Sequence, residues 1–137
     1  YGQESQEWNS LNSYINEIYS KNSIHLKGTE EDIRQYIHIS DAARMTVDLS
    51  LANKKNNFIN LTGNEKIKIS ELLKIIREIT GKKFKVFYNK NSISDHYSIT
   101  PYKSNINFAK QATLKEFTDI GQGLLELIND KENKKNN

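Results

Sequence analysis

The stretch ISELLKIIREITGKKFKVFY, residues 69–88, changes its hydrophobic period once, and that change limits the folds open to the chain. Over Ile69–Thr80 the apolar residues Leu72, Leu73, Ile76 and Ile79 fall on one side, the spacing of a helix with one face in a core. Ser70 is expected to cap its start. Gly81 is expected to close its end in the left-handed conformation that glycine reaches without strain. Phe84–Tyr88 then alternates as a half-buried strand does.

The same succession recurs along the chain. Leu11, Tyr14, Ile15, Ile18 and Tyr19 give residues 9–22 a helical stripe. Ile24-His25-Leu26 reads as a short strand closed by Gly28, and Thr29–Asp32 as an acidic loop. Gln35–Ile39 alternates as a strand. Ser40-Asp41 is placed to cap the helix expected over Ala42–Ala52. Its core row would be Ala43, Val47 and Leu51, widened by Met45 and Leu49. Phe58–Thr62 reads as a strand turned by Gly63-Asn64. Residues 89–102 are irregular, and Pro101 excludes regular helix there. Residues 105–112 are expected to form a short helix. A last helix is expected from Asp119 or Ile120 to Ile128, with Ile120, Leu124, Leu125 and Ile128 inward. This order predicts a small mixed α/β domain with short strands, four to five helices and at least one right-handed crossover.

A chain of 137 residues has room for one domain. Its 36% hydrophobic and 27% charged content reads as soluble and globular. With no cysteine, disulfide scaffolds, thiolate zinc sites and cysteine nucleophiles are excluded, and a reducing compartment such as the cytoplasm fits. No apolar run reaches the ~20 residues of a membrane helix. The net charge of +3 comes from scattered lysines rather than a concentrated face, so neither nucleic acid nor membrane is an expected partner. The chain begins Tyr1-Gly2 and its one methionine is Met45, so a piece of a longer protein is expected. The ending KENKKNN lacks apolar periodicity; the domain is set at 1–129 and a disordered tail at 130–137.

Neither G-x-G-x-x-G after a strand nor G-x-x-x-x-G-K-[ST] occurs. Gly121-Gln122-Gly123 lacks a third glycine and a preceding strand, and reads as a helix start. His25, His38 and His96 share no metal spacing. Asp95-His96 could be an acid–base pair, but a surface loop is the better reading, and no serine sits in a nucleophile-elbow setting. Arg34 stands out. With three arginines against seventeen lysines it is an exception to the chain's own habit, and Arg44 and Arg77 fall within helix patterns. A planar guanidinium grips a phosphate with two parallel bonds, which lysine cannot do. The bland alternative is a solvated arginine at a strand entrance.

The segment RQYIHISDAA, residues 34–43, resembles the R-[DQ]-[FY]-[IV]-H-V-x-D-x-A signature of NAD-dependent nucleotide-sugar epimerases and dehydratases, the extended short-chain dehydrogenases. Tyr1-Gly2, SIHLKG, FINLTGNEKIKISELLKIIREITGK, DHYSITPYKSN and DIGQGLLELI resemble further segments of that family in order, over residues 1–129. The resemblance implies the C-terminal, substrate-binding half of such an enzyme, without the Rossmann half that carries the glycine-rich loop and the Tyr-x-x-x-Lys pair. Tyr19-Ser20-Lys21 has the wrong spacing for that pair. It implies that Arg34 contacts the diphosphate of a nucleotide-diphosphate sugar, that Leu26 and its neighbours lie near the base, and that His38 is structural. Where relatives carry a second phosphate-binding arginine, this chain reads Ser92-Ile93-Ser94-Asp95; Asp95 falls in that substrate-binding segment, and either the nearby Lys90 compensates as a point charge or the ligand differs. No cofactor is expected in this piece, and NAD or NADP in the parent. The expected partners are the sugar nucleotide, the Rossmann half of the same chain and possibly a second copy. The piece alone is expected to be inactive and to expose apolar side chains between Ile93 and Phe108. The alternative is a stand-alone interaction module for an acidic partner.

Overall fold

The computed structural model describes residues 1–3, 9–52, 58–64, 66–89 and 109–136. Helix α1 (Ser10–Lys21) starts where the Asn9 side chain accepts from the N–H groups of Leu11, at 3.1 Å, and Asn12, at 3.4 Å, satisfying donors that a helix start leaves without partners. It ends at Asn22, in the left-handed region at φ +50°, and β1 (Ser23–Lys27) follows at once. β1 pairs in parallel with β5 (Lys85–Asn89), Ser23 opposite Lys85 and Lys27 opposite Asn89. The long crossover between them carries β2 (Ile33–Gln35), α2 (Ile39–Leu51), β3 (Phe58–Leu61), β4 (Lys66–Lys68) and α3 (Ile69–Thr80). β2 and β4 pair antiparallel, and β3 pairs in parallel with β6 (Ala109–Ala112). Helix α4 (Ile120–Asn136) closes the described chain. The mixed α/β class is as expected. None of the described helices is long and apolar enough to cross a membrane.

One core joins these elements. Leu11, Ile15 and Ile18 of α1, Ile24 and Leu26 of β1, Leu72, Leu73 and Ile76 of α3, and Leu124, Leu127 and Ile128 of α4 are buried in a single cluster. On α4 the inward position expected of Leu125 is taken by Leu127, while Leu125 is 40% exposed. Leu127 lies three residues after Leu124 and one before Ile128, which leaves the stripe narrower than the periodicity suggests.

Several local expectations are corrected. The strand expected over Gln35–Ile39 lies earlier, at Ile33–Gln35. Residues 37–39 engage the first residue of the chain instead: the Tyr1 backbone nitrogen donates to Ile37 O at 2.9 Å, and Ile39 N donates to Tyr1 O at 2.8 Å. α2 begins at Ile39 with no side-chain cap. Asp41 is drawn elsewhere, its Oδ2 accepting from Thr118 N at 2.8 Å and its Oδ1 from Arg44 at 3.3 Å. Ser70 does not cap α3. The free donors there meet loop carbonyls, Ile69 N to Asp32 O and Ser70 N to Glu30 O, both at 3.0 Å. The Glu71 carboxylate accepts from Lys68 N. Gly81 closes α3 as expected, at φ +61° with its N–H on Arg77 O. Residues 109–112, expected in a helix, are strand β6 because β3 supplies a ladder partner; residues 105–108 lie outside the described set. Residues 130–136, expected as a tail, continue α4. Tyr19 Oη donates to Glu132 at 2.5 Å, Lys131 reaches Asn16, and Lys134 pairs with Asp130 one turn back.

In α2 the row Ala43, Val47, Leu51 is exposed, and the buried face is that of Asp41 and Met45. The apolar residues between Ile93 and Phe108 lie outside the described residues. Buried Asp41 thus ties α2 to the segment before α4, with Arg44 also donating to Glu116 O. Replacing Asp41 by Ala leaves Thr118 N without its acceptor, and a loss of about 1–3 kcal/mol is expected, read as a lower urea midpoint at unchanged m. At Gly63 a Cβ would overlap the Tyr36 carbonyl, which is backbone and cannot swing away. Gly63→Ala is expected to cost roughly 1–3 kcal/mol in the same measurement.

Candidate functional site

The acidic loop after β1 is a tight structure. Gly28 sits at φ +100°, and a Cβ there would run into the Asp32 carboxylate, so the turn requires glycine. Asp32 N donates to Thr29 O at 3.3 Å, and Thr29 Oγ1 donates to Asp32 Oδ1 at 2.9 Å. The other carboxylate oxygen, Oδ2, accepts from Arg34 Nη2 at 3.0 Å, and Arg34 Nη1 donates to Ile33 O at 3.2 Å. Arg34 lies on β2 opposite Ile67. It is 9% exposed, which decides against a solvated arginine. Asp32 and Ile33 fix the plane of the guanidinium beside the turn at Gly28.

Two phenols share its field. Burial pushes the Tyr14 phenol up, with the positive charge of Arg34 acting against the shift and Glu17 adding to it. Burial also pushes Tyr36 well up, and Tyr14 adds to it, while Arg34 and a hydrogen bond with Ser10 oppose. Both stay neutral at ordinary pH, so the surroundings of the fork offer hydroxyls and a cation, with Asp32 as its counter-charge.

The structure treats the expected site residues unequally. Leu26 is 3% exposed, within the core cluster. The side chains of β1 that reach the surface are His25 and Lys27, because successive residues of a strand point to opposite faces. His25 is held by Glu17 at 2.9 Å and stacks on Phe87. β5 ends at Asn89, opposite Lys27 and one residue short of the level of Gly28, so both strand ends open toward the Arg34 end of the sheet. Lys90 and Asp95 follow but lie outside the described residues, as does His96. His38 is buried at the start of α2 against the edge of the Tyr1 ring, with Nε2 3.8 Å from Glu126. Gly121 and Gly123 do begin a helix, whose first donors bond Asp119. Among the described residues no cluster of histidine and carboxylate side chains could hold a metal.

Two of the cavities do not compete for the role. One of about 20 Å³, lined by Tyr1, Tyr36, His38, Asp41, Met45 and Gly63 among others, has room for a water and not a sugar. An open groove of about 600 Å³ carries Asp41, Glu116, Asp119 and Glu126 against Arg44 alone, and would repel a diphosphate. Arg34 lines neither. The partnership of Asp32 with Arg34 was missed in the sequence, although the two lie two apart, on the same side of an extended chain.

No protein-family model matches the sequence, and no curated protein matches it. Solved structures do. UDP-glucuronic acid 4-epimerase from Bacillus cereus, in complex with UDP-glucuronic acid and NAD, superposes at a TM-score of 0.73 with 20% identity, covering 96% of this chain and 42% of that one. MoeE5 in complex with UDP-glucose and NAD gives 0.71 and 17%, covering 98% and 44%. TunA, an NAD-dependent NDP-hexosamine 5,6-dehydratase of tunicamycin biosynthesis, gives 0.67 and 16%, covering 97% and 43%. The chain spans less than half the length of each. These structural neighbours include a UDP-glucuronic acid 4-epimerase and an NAD-dependent NDP-hexosamine 5,6-dehydratase, and the chain has the fold of a part of such proteins.

Proposed function

We propose that this chain is the substrate-binding portion of an NAD(P)-dependent nucleotide-sugar epimerase or dehydratase. In this reading it holds a nucleotide-diphosphate sugar against a Rossmann portion of the same protein. The observation that carries the reading is Arg34: a buried guanidinium, oriented by Asp32 and Ile33 beside the Gly28 turn, in a fold whose neighbours include proteins bound to UDP-glucose and UDP-glucuronic acid.

The mechanism is positioning. Arg34 donates two parallel charge-assisted bonds to the diphosphate. Lys90 and Asp95 are assigned to the same ligand, and the surface residues of β1 to its base. Remote binding energy at the diphosphate then orients the sugar's reacting carbon. The dinucleotide has no seat within this chain, which lacks a glycine-rich strand-to-helix turn. The cofactor, NAD or NADP, belongs to the Rossmann portion and supplies hydride chemistry there. Alone, the chain is expected to turn nothing over.

Calorimetric titration of the full-length protein with UDP- and GDP-sugars tests the assignment. Arg34→Ala is expected to weaken binding by about 1.5–3 kcal/mol, roughly 10- to 150-fold. Arg34→Lys is expected to recover only part of it, because a point charge cannot make the paired bonds. An affinity unchanged in both variants removes Arg34 from the site. The local electrostatics are checked by ultraviolet titration of the phenols. Arg34→Ala removes the positive charge that favours the phenolates of Tyr14 and Tyr36, so both are expected to ionise at still higher pH. A shift the other way would place the guanidinium elsewhere.

A further inference from the structure

Helix α2 carries an aliphatic row that the fold leaves exposed. Asp41 and Met45 point into the domain. On the opposite side, four residues apart, run Ile39, Ala43, Val47 and Leu51, of which Ile39 is 56%, Val47 55% and Leu51 79% exposed. The charged residues of α2, Asp41, Arg44 and Asp48, all lie outside this row by helical geometry. The row's hydroxyl neighbours are turned onto the helix itself: Thr46 donates to Ala42 O at 2.8 Å and Ser50 to Thr46 O at 2.7 Å. The face is thus mainly aliphatic, with the exposed Ser40 beside the row. Phe58, seven residues beyond Leu51 and first in β3, is 71% exposed as well, on a parallel pair of strands of a kind that proteins cover on both faces.

An exposed aliphatic row of this kind, rimmed by polar residues, marks an interaction site. An occupant is indicated by the neighbours: they match 96–98% of this chain, yet more than half the length of each has no counterpart in it. We propose that the Ile39–Ala43–Val47–Leu51 face of α2, with Phe58, is the surface on which the remainder of the full-length polypeptide docks. The inference rests on the reading of the chain as one part of a longer nucleotide-sugar enzyme. The face is uncharged and aliphatic, resembling a domain core cut in half rather than the polar rim of a transient contact. That favours a permanent intrachain seat over a passing partner.

A photo-cross-linking amino acid placed at Leu51, and separately at Val47, in the full-length protein tests this, with exposed Lys74 on α3 as the reference position. The expected result is a cross-link within one polypeptide to residues outside these 137, from both α2 positions and at least several-fold above the Lys74 yield. Cross-links between two copies would overturn the proposal in favour of a homodimer face, and yields no higher than at Lys74 would overturn it outright. Nucleotide-sugar binding is measured on the same preparations. Binding without the intrachain cross-link sinks the docking surface alone, whereas the cross-link without binding sinks the functional reading and leaves the surface standing.

Discussion

The parallel pairing of β1 with β5 sets the terms for everything else. Parallel neighbours cannot be joined by a tight turn, so the chain must leave one end of the pair and return to the other. Here the return occupies residues 28–84 and includes three strands and two helices. The pair is worth keeping only because α1, α3 and α4 close over it with Leu and Ile side chains that are almost fully buried. The crossover in turn delivers the Gly28 turn, the acidic loop and Arg34 to the C-terminal ends of β1 and β5. That is the end of parallel strands at which α/β folds bind ligands.

The two buried charges described here are handled in different ways. Asp41 is satisfied by a backbone N–H from the far end of the chain and by an arginine one turn away. It serves as a clasp between α2 and the approach to α4, in place of the capping role its position suggests. Arg34 is satisfied two residues back along the chain, in the loop that precedes its strand. A local partner of this kind holds the fork in place without tying β2 to another element, which suits a residue meant to be oriented rather than to bear load. In both cases removing one partner would strand the other in a low-dielectric site, which is where the energetic weight of such pairs lies.

Much of this was legible in the sequence, and the misses share a cause. The helices Ser10–Lys21 and Ile69–Thr80 follow from apolar period, and the end of the second from Gly81, because those signals act within a few residues. Ser70 and Asp41 misled because capping depends on what else can reach a helix start; Glu30 and Asp32 carbonyls reach α3, and Tyr1 reaches Ile39. β6 was hidden because a strand whose partner lies some fifty residues earlier has no local signature. The row on α2 misled most instructively. Its periodicity was real, but period alone does not say which face of a helix the domain keeps for itself. Arg34 was found by its rarity in a lysine-rich chain, and Asp32, one acidic residue in a loop of several, had no comparable distinction.

The Arg34–Asp32 pair also constrains how an anion could bind. Two unit charges about 4 Å apart interact by roughly 4 kcal/mol at an effective dielectric of 20. A phosphate bonded to the guanidinium gains on that scale, but Asp32, 3.0 Å from the same fork, opposes it from only slightly farther away. The carboxylate thus fixes direction at the expense of net attraction. A diphosphate, with more negative charge than one guanidinium can offset, needs a further cation on the side away from Asp32. The chain leaves β5 at Asn89, level with Lys27 and next to the Gly28 turn, and the next residue in sequence is Lys90. In the proposed reading that lysine is the further cation which the charge balance around Arg34 calls for.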